Sequence, residues 1–85
     1  MAIEILYFAR IREAIGRSAE TVSPPDDVAT IGDLIGWLAA RGGGYAEAFA
    51  GPNPVRAAIG DQFAEPDAPI AGAREIALFP PVTGG

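Results

Sequence analysis

One amphipathic segment, residues 30–41, limits the folds that this chain can adopt. Its apolar side chains recur along one helical face at Ile31, Leu34, Ile35, Leu38 and Ala39. Thr30 and Asp33 are spaced like a loose capping box at its start, and the glycine run 42–44 predicts its end. Because a single apolar stripe needs an apolar sheet face to cover it, the segment favours a two-layer α+β roll.

Short strands are predicted before and after this helix in the chain. The candidate strands are residues 2–9, 18–23, 55–59, 62–63 and 75–79. A short connection joins the first two, so we expect them to be antiparallel, and the helix can supply the crossover that makes the last strand parallel to the first. Two shorter helices are predicted at residues 10–16 and 45–50, and residues 65–73 are predicted to form a loop.

Composition excludes several classes of protein. With 85 residues and 49% apolar side chains, the chain is expected to form a single globular domain, residues 1–85. It has no Cys and no His, so it offers no disulfide, no thiol nucleophile and no common zinc ligand. The net charge of −5 disfavours nucleic acid as a partner, and no apolar run approaches the ~18 residues of a membrane span. Because the start also lacks a basic signal-peptide region, we expect a soluble protein of a reducing compartment, the cytoplasm.

No catalytic or metal-binding group stands out in the sequence. The glycine run 42–44 follows a helix and has no Lys, Ser or Thr after it, which favours a helix stop and a flexible loop over a phosphate-binding loop. Asp61, Glu65 and Asp67 lack the spacing of a calcium loop and are interpreted as a solvated turn. The Ser and Thr residues have no His to activate them. The chain is therefore not expected to be an enzyme on its own.

Two phenylalanines on outer strand positions indicate a binding surface. Phe8 shares a strand face with Glu4, and Phe79 shares one with Glu75. We expect the face that carries the glutamates to point away from the helix. If the two strands are parallel neighbours, both phenylalanines lie at their carboxyl ends, where an exposed aromatic pair is typical of a partner contact. The alternative is that half-buried residues close the end of the sheet.

Residues 80–85 are predicted to form an extended, flexible tail. Pro80 and Pro81 stiffen its start, and from Pro80 onward the chain can reach ~17 Å. Gly84 and Gly85 have no Cβ atom, so they can enter a channel too narrow for other residues. A terminal carboxylate is ionised at neutral pH and can act as a nucleophile. These features indicate a chain end that is presented to the active site of another protein.

The chain resembles the ubiquitin-like sulfur carriers, the family of the small subunit of molybdopterin synthase. The most specific part of the resemblance is the ending Phe79-Pro80-Pro81-Val82-Thr83-Gly84-Gly85. The opening also resembles the family, through Leu6-Tyr7-Phe8-Ala9-Arg10-Ile11-Arg12-Glu13. The resemblance covers the whole chain in element order. It implies a β-grasp fold, in which a mixed sheet of four to five strands packs on one main helix.

The resemblance also implies a chemistry and a set of partners. Gly85, preceded by Gly84, would be adenylated by a ubiquitin-activating-like adenylyltransferase that consumes ATP, and then converted to a thiocarboxylate with sulfur from a sulfur-donating transferase. The large synthase subunit, in an assembly of two small and two large subunits, would use that sulfur to convert cyclic pyranopterin monophosphate. No cofactor would be bound by this chain. Partner-binding roles are implied for Phe8, Phe63, Phe79, Pro80, Pro81, Val82 and Thr83.

The sequence departs from the family pattern in two turns and leaves alternatives open. Ala71-Gly72-Ala73 stands where the family often has an Asp-Gly-Asp turn, and Gly60-Asp61 stands where Asn is common. The alternatives are a sulfur carrier for thiamin thiazole synthesis, a protein modifier that is ligated through Gly85, and a binding module with an inert tail.

Overall fold

The computed structural model describes residues 2–52 and 54–81 of the chain. In chain order its elements are β1 (Ile3–Tyr7), α1 (Ala9–Ile15), β2 (Ala19–Val22), α2 (Ile31–Ala39), α3 (Gly43–Phe49), β3 (Arg56–Ile59), β4 (Gln62–Ala64) and β5 (Glu75–Phe79). Each predicted strand and helix is present, with ends that differ from the predicted ones by a few residues at most. Among the described residues, no helix is long and apolar enough to cross a membrane.

The five strands form one mixed sheet in the order β2-β1-β5-β3-β4. β1 is antiparallel to β2 and parallel to β5, as predicted. β3 is antiparallel to both β5 and β4. The carboxyl ends of β1 and β5 therefore meet at one end of the sheet, and the amino end of β3 lies at that same end.

The core fills the space between one face of the sheet and the helices. Alternate residues of β1 are buried, at Ile3, Ile5 and Tyr7. The predicted stripe of α2 joins the same core through Ile31, Leu34 and Leu38. Burying each large apolar side chain of this kind stabilises the fold by about 1.5–3 kcal/mol. This burial confirms the two-layer α+β roll and leaves the other sheet face uncovered by helices.

The start of α2 is capped as the sequence predicts. The Thr30 side chain accepts a hydrogen bond of 3.1 Å from the Asp33 backbone N–H. The Asp33 carboxylate accepts one of 3.1 Å from the Ala29 N–H, one residue before the cap. Both bonds satisfy backbone donors that have no partner within the helix. The loop that covers residues 65–73 pairs with this start, because Thr30 forms a bridge with Pro69.

The glycine run 42–44 corrects one prediction. The chain was expected to continue as a flexible loop and to re-enter a helix at Tyr45, but α3 begins at Gly43. A Cβ atom at Gly44 would overlap the carbonyl oxygen of Ala14 and would lie 2.9 Å from its carbonyl carbon. Gly44 therefore allows the backbones of α1 and α3 to touch. Gly44 is thus a packing contact between two helices, which no local pattern reveals, whereas Gly42 and Gly43 have no neighbour within 4 Å of an added Cβ atom and follow the end of α2, where a helix stop was predicted.

Candidate partner-binding surface

The outer face of the sheet carries three phenylalanines at the end where β5 finishes. We call Phe8, Phe63 and Phe79 the aromatic surface. The Phe8 N–H donates to the Leu78 carbonyl at 3.2 Å, which continues the β1–β5 ladder to the level of Phe79. The rings of Phe63 and Phe79 have centroids 5.9 Å apart and are tilted by 55°. The strand alternation thus places Phe8 and Phe79 on the outer face, as predicted.

Two of these side chains are strongly exposed. Phe63 is 76% exposed and Phe8 is 45% exposed, and they are the exposed large apolar side chains of the described residues. Phe79, whose ring packs against that of Phe63, is half-buried. Exposed aromatic rings that cluster at one place are typical of a surface that a partner covers. The exposure disfavours the alternative in which these rings only close the sheet end.

A row of small apolar residues extends the aromatic surface across the sheet. The strand register aligns Ala19, Leu6, Ala77, Ala58 and Phe63. All five side chains are uncharged, and four of them are only a methyl or an isobutyl group, so a partner can approach the sheet backbone closely. This row was not predicted from the sequence. Its signal was the alternation of small side chains with buried ones in β3 and β5.

Arg56 lies beside the aromatic surface and was also missed. It is paired with Phe79 in the β3–β5 register, and its guanidinium carbon lies 5.8 Å from the centroid of the Phe63 ring. Arg56, Phe63, Phe79 and Pro81 line an open cavity of about 190 Å³. The cavity lies at the point where the chain leaves β5, and it is wide enough to take an apolar side chain.

The remaining predicted site residues lie at or beyond the end of this surface. Pro80 and Pro81 follow β5 and are both half-buried. The roles predicted for Val82, Thr83, Gly84 and Gly85 concern residues outside those that the structure describes, and they remain predictions. Among the described residues, no group of acidic side chains is placed to hold a metal ion.

A polar cluster around Glu20 lies on the helix-covered side of the sheet, opposite the aromatic surface. The Tyr7 hydroxyl donates to the Glu20 carboxylate at 2.7 Å, and the Tyr45 hydroxyl donates to the same oxygen. Arg41 donates to the other oxygen at 3.1 Å and also lies over the Tyr45 ring, 5.0 Å from its centroid. These contacts join β1, β2 and α3 with the residues that follow α2. No single local pattern predicts these contacts, so the cluster was not predicted from the sequence.

The Glu20 cluster shifts the protonation equilibria of its members. Burial opposes ionisation of Glu20, but hydrogen bonds from Tyr45, Tyr7 and Arg41 outweigh it and hold the pKa of this carboxyl below its ordinary value. Burial, reinforced by the hydrogen bond to Glu20, raises the pKa of the Tyr7 hydroxyl far above its ordinary value. The cluster is therefore an ionised carboxylate held by neutral phenols, an arrangement that fastens the helices to the sheet.

Replacing Glu20 by Gln is expected to destabilise the fold by about 2 kcal/mol at neutral pH, because its hydrogen-bond donors lose their carboxylate. Since the folded-state pKa of Glu20 is lowered, the stability it contributes is present at neutral pH and is lost as the pH falls through that pKa. Urea melts between about pH 3 and pH 7 should show that the free energy of unfolding falls less steeply toward acid pH in Glu20→Gln than in the wild type. Glu13→Gln, at an exposed position on α1, is the charge-matched control, and equal losses in both variants would contradict this role.

The fold and the aromatic surface together define a small β-grasp protein with exposed aromatic side chains on the outer face of its sheet. Comparison with known proteins identifies the family. The ThiS family model matches residues 5–85. The molybdopterin synthase sulfur carrier subunit of Escherichia coli (strain K12) is 35% identical over 83 residues, which cover 98% of this chain and 99% of that protein. This chain belongs to the ThiS family, and the predicted resemblance is confirmed.

Solved structures agree on the fold. SAMP1 from Haloferax volcanii matches with a TM-score of 0.67 and 25% identity, and the match covers 100% of both chains. A chain from the complex of subunits 1 and 2 of molybdopterin-converting factor from Helicobacter pylori 26695 matches with a TM-score of 0.65 and 21% identity, again over 100% of both chains. At that identity the second likeness concerns the fold alone. The predicted β-grasp fold is confirmed.

Proposed function

We propose that this chain is the sulfur-carrier subunit of a molybdopterin synthase. The observation that carries the proposal is the position of the aromatic surface, which surrounds the point where the chain leaves β5 toward Gly84 and Gly85. A partner that covers these rings is thereby held beside Pro80 and Pro81, the residues that lead to the end of the chain. The E. coli relative, named as such a subunit, supports the choice of pathway over thiamin thiazole synthesis.

The proposed chemistry takes place at the carboxylate of Gly85. A carboxylate is a poor acceptor for a sulfur nucleophile, so an activating enzyme first uses ATP to form an acyl adenylate and releases pyrophosphate. Sulfur from a donating transferase then replaces AMP at the acyl carbon and leaves a thiocarboxylate. Within the large subunit that sulfur bonds to cyclic pyranopterin monophosphate, and water then cleaves its bond to the acyl carbon of Gly85, which restores the carboxylate; two such transfers supply the two sulfurs of the dithiolene. Since the chain has neither His nor Cys, the catalytic groups are supplied by the partners.

The same surface serves both partners in turn. The activating enzyme and the large subunit each need the end of the chain in their own active site, so each must hold the base of the tail in a similar way. Phe63, with three quarters of its surface exposed, is the main apolar anchor for such contacts. Two small and two large subunits would form the synthase. The complex must be reversible, because a carrier leaves its partner to be recharged.

The proposal is tested by following the mass of the intact chain. Incubation with the activating enzyme, ATP and the sulfur-donating transferase should exchange one oxygen for sulfur at Gly85, and omission of ATP should prevent the exchange. Addition of the large subunit with cyclic pyranopterin monophosphate should then restore the original mass and form molybdopterin. A thiocarboxylate that is not consumed in this second step would refute the proposed pathway. Adducts that resist denaturant and reductant and depend on Gly85 would favour a protein modifier instead.

A further inference from the structure

Arg56 is a cation on the outer sheet face with no acidic partner among the described residues. Both ion pairs in residues 2–52 and 54–81 involve Glu20, on the other side of the sheet. Glu65 lines a neighbouring cavity with Arg56, yet the two do not form an ion pair. Glu4 and Glu75 share the outer face but lie opposite each other at the far end of the parallel strands. The guanidinium carbon lies 5.8 Å from the centroid of the Phe63 ring, and no carboxylate among the described residues forms an ion pair with it.

Any protein that covers the aromatic surface also covers Arg56. The guanidinium shares the cavity of about 190 Å³ with Phe63, Phe79 and Pro81, so an apolar group that fills this cavity removes water from the charge. Removing a charged group from water without a counter-charge costs several kcal/mol. A partner that binds here must therefore compensate the charge of Arg56.

We propose that the large subunit places an Asp or Glu carboxylate against Arg56, next to the apolar group that enters the cavity; this inference rests on the proposed function. The planar guanidinium presents parallel N–H donors that match the two oxygens of a carboxylate. The cation–π contact with the Phe63 ring, at 5.8 Å from its centroid, favours this position of the guanidinium before binding and so reduces the entropy lost when the pair forms. Arg56 is then a specificity determinant of the interface, because a partner with an apolar or basic residue at this place is rejected.

The test compares two arginines that carry the same charge at opposite ends of the sheet. Arg74 is exposed and immediately precedes β5, whereas Arg56 is paired with Phe79, the last residue of that strand. Arg56→Ala and Arg74→Ala change the net charge equally, so general repulsion from an acidic partner affects both. In calorimetric titrations with the large subunit at low salt, we expect Arg56→Ala to weaken binding roughly ten-fold and Arg74→Ala less than about two-fold. Arg56→Lys should recover part of the loss, because it keeps the charge without the planar fork.

Salt dependence and Phe63→Ala complete the design. The deficit of Arg56→Ala should shrink as salt is raised, because the ion pair that it removes is screened. A deficit equal to that of Arg74→Ala, or one that is independent of salt, would overturn the carboxylate contact. Phe63→Ala tests the proposed function separately: if it weakens binding while Arg56→Ala matches Arg74→Ala, only the inference about Arg56 fails. If the wild-type chain does not bind the large subunit, both the proposed function and the inference about Arg56 fail. Thermal melts of each variant establish that it is folded.

Discussion

Deleting Gly85 is expected to abolish molybdopterin formation and to leave the fold intact. The proposed chemistry needs a carboxylate at a fixed distance from the aromatic surface, and one residue changes that distance by about 3.4 Å. Misplacing a reacting group by even 1 Å can cost about 100-fold in rate, so we expect a loss of at least that size. The buried core residues run from Ile3 to Leu78, which is why the melting temperature should not change.

The matched variants for this prediction alter length without altering chemistry. Adding one glycine after Gly85 should be as harmful as the deletion, because it moves the carboxylate in the other direction. Adding one glycine before Met1 lengthens the chain equally and should leave activity unchanged. Activity is measured as molybdopterin formed in the reconstituted system. Normal product from either C-terminal variant would contradict a role for Gly85 as the sulfur-bearing residue.

Replacing Gly44 by Ala is expected to destabilise the protein by about 3 kcal/mol or more. The new Cβ would overlap the carbonyl oxygen of Ala14. Ala14 belongs to α1 and Gly44 to α3, so neither backbone can shift at this one residue without moving the rest of its helix. Overpacking of this kind commonly costs about 1–3 kcal/mol even where side chains can adjust. In a domain of this size, such a loss lowers the melting temperature by roughly 12 °C or more.

Gly36→Ala is the matched control for this variant. Gly36 lies inside α2 and is exposed, and apart from its chain neighbours and its own helix backbone no atom lies within 4 Å of the place where its Cβ would be. Ala has a higher helix propensity than Gly, so this change should stabilise the protein by about 0.5–1 kcal/mol. Urea melts of the two variants should therefore shift in opposite directions. A similar shift in both would show that α1 and α3 are not in backbone contact at Gly44.

The sequence by itself determined the features that depend on local periodicity. The apolar stripe of residues 30–41 identified α2, and alternation identified β5 at residues 75–79. The crossover argument predicted the parallel pairing of β1 with β5, and alternation then placed Phe8 and Phe79 on the outer face. These inferences succeeded because side-chain direction in a helix or strand repeats with a fixed period, which is written in neighbouring residues. The resemblance supplied Phe63, whose exposure alternation alone did not indicate.

Tertiary structure decided the features that join distant parts of the chain. Glu20 meets tyrosines 13 and 25 residues away, Arg56 reaches the Phe63 ring across a hairpin, and Gly44 touches the backbone at Ala14. None of these pairs has a local pattern, because each depends on how helices and strands are packed and on the register between strands. A glycine that ends a helix and a glycine that allows a second helix backbone to approach closely look the same in the sequence. Only the packed structure distinguishes them, since the distance to a second backbone is set by the whole core.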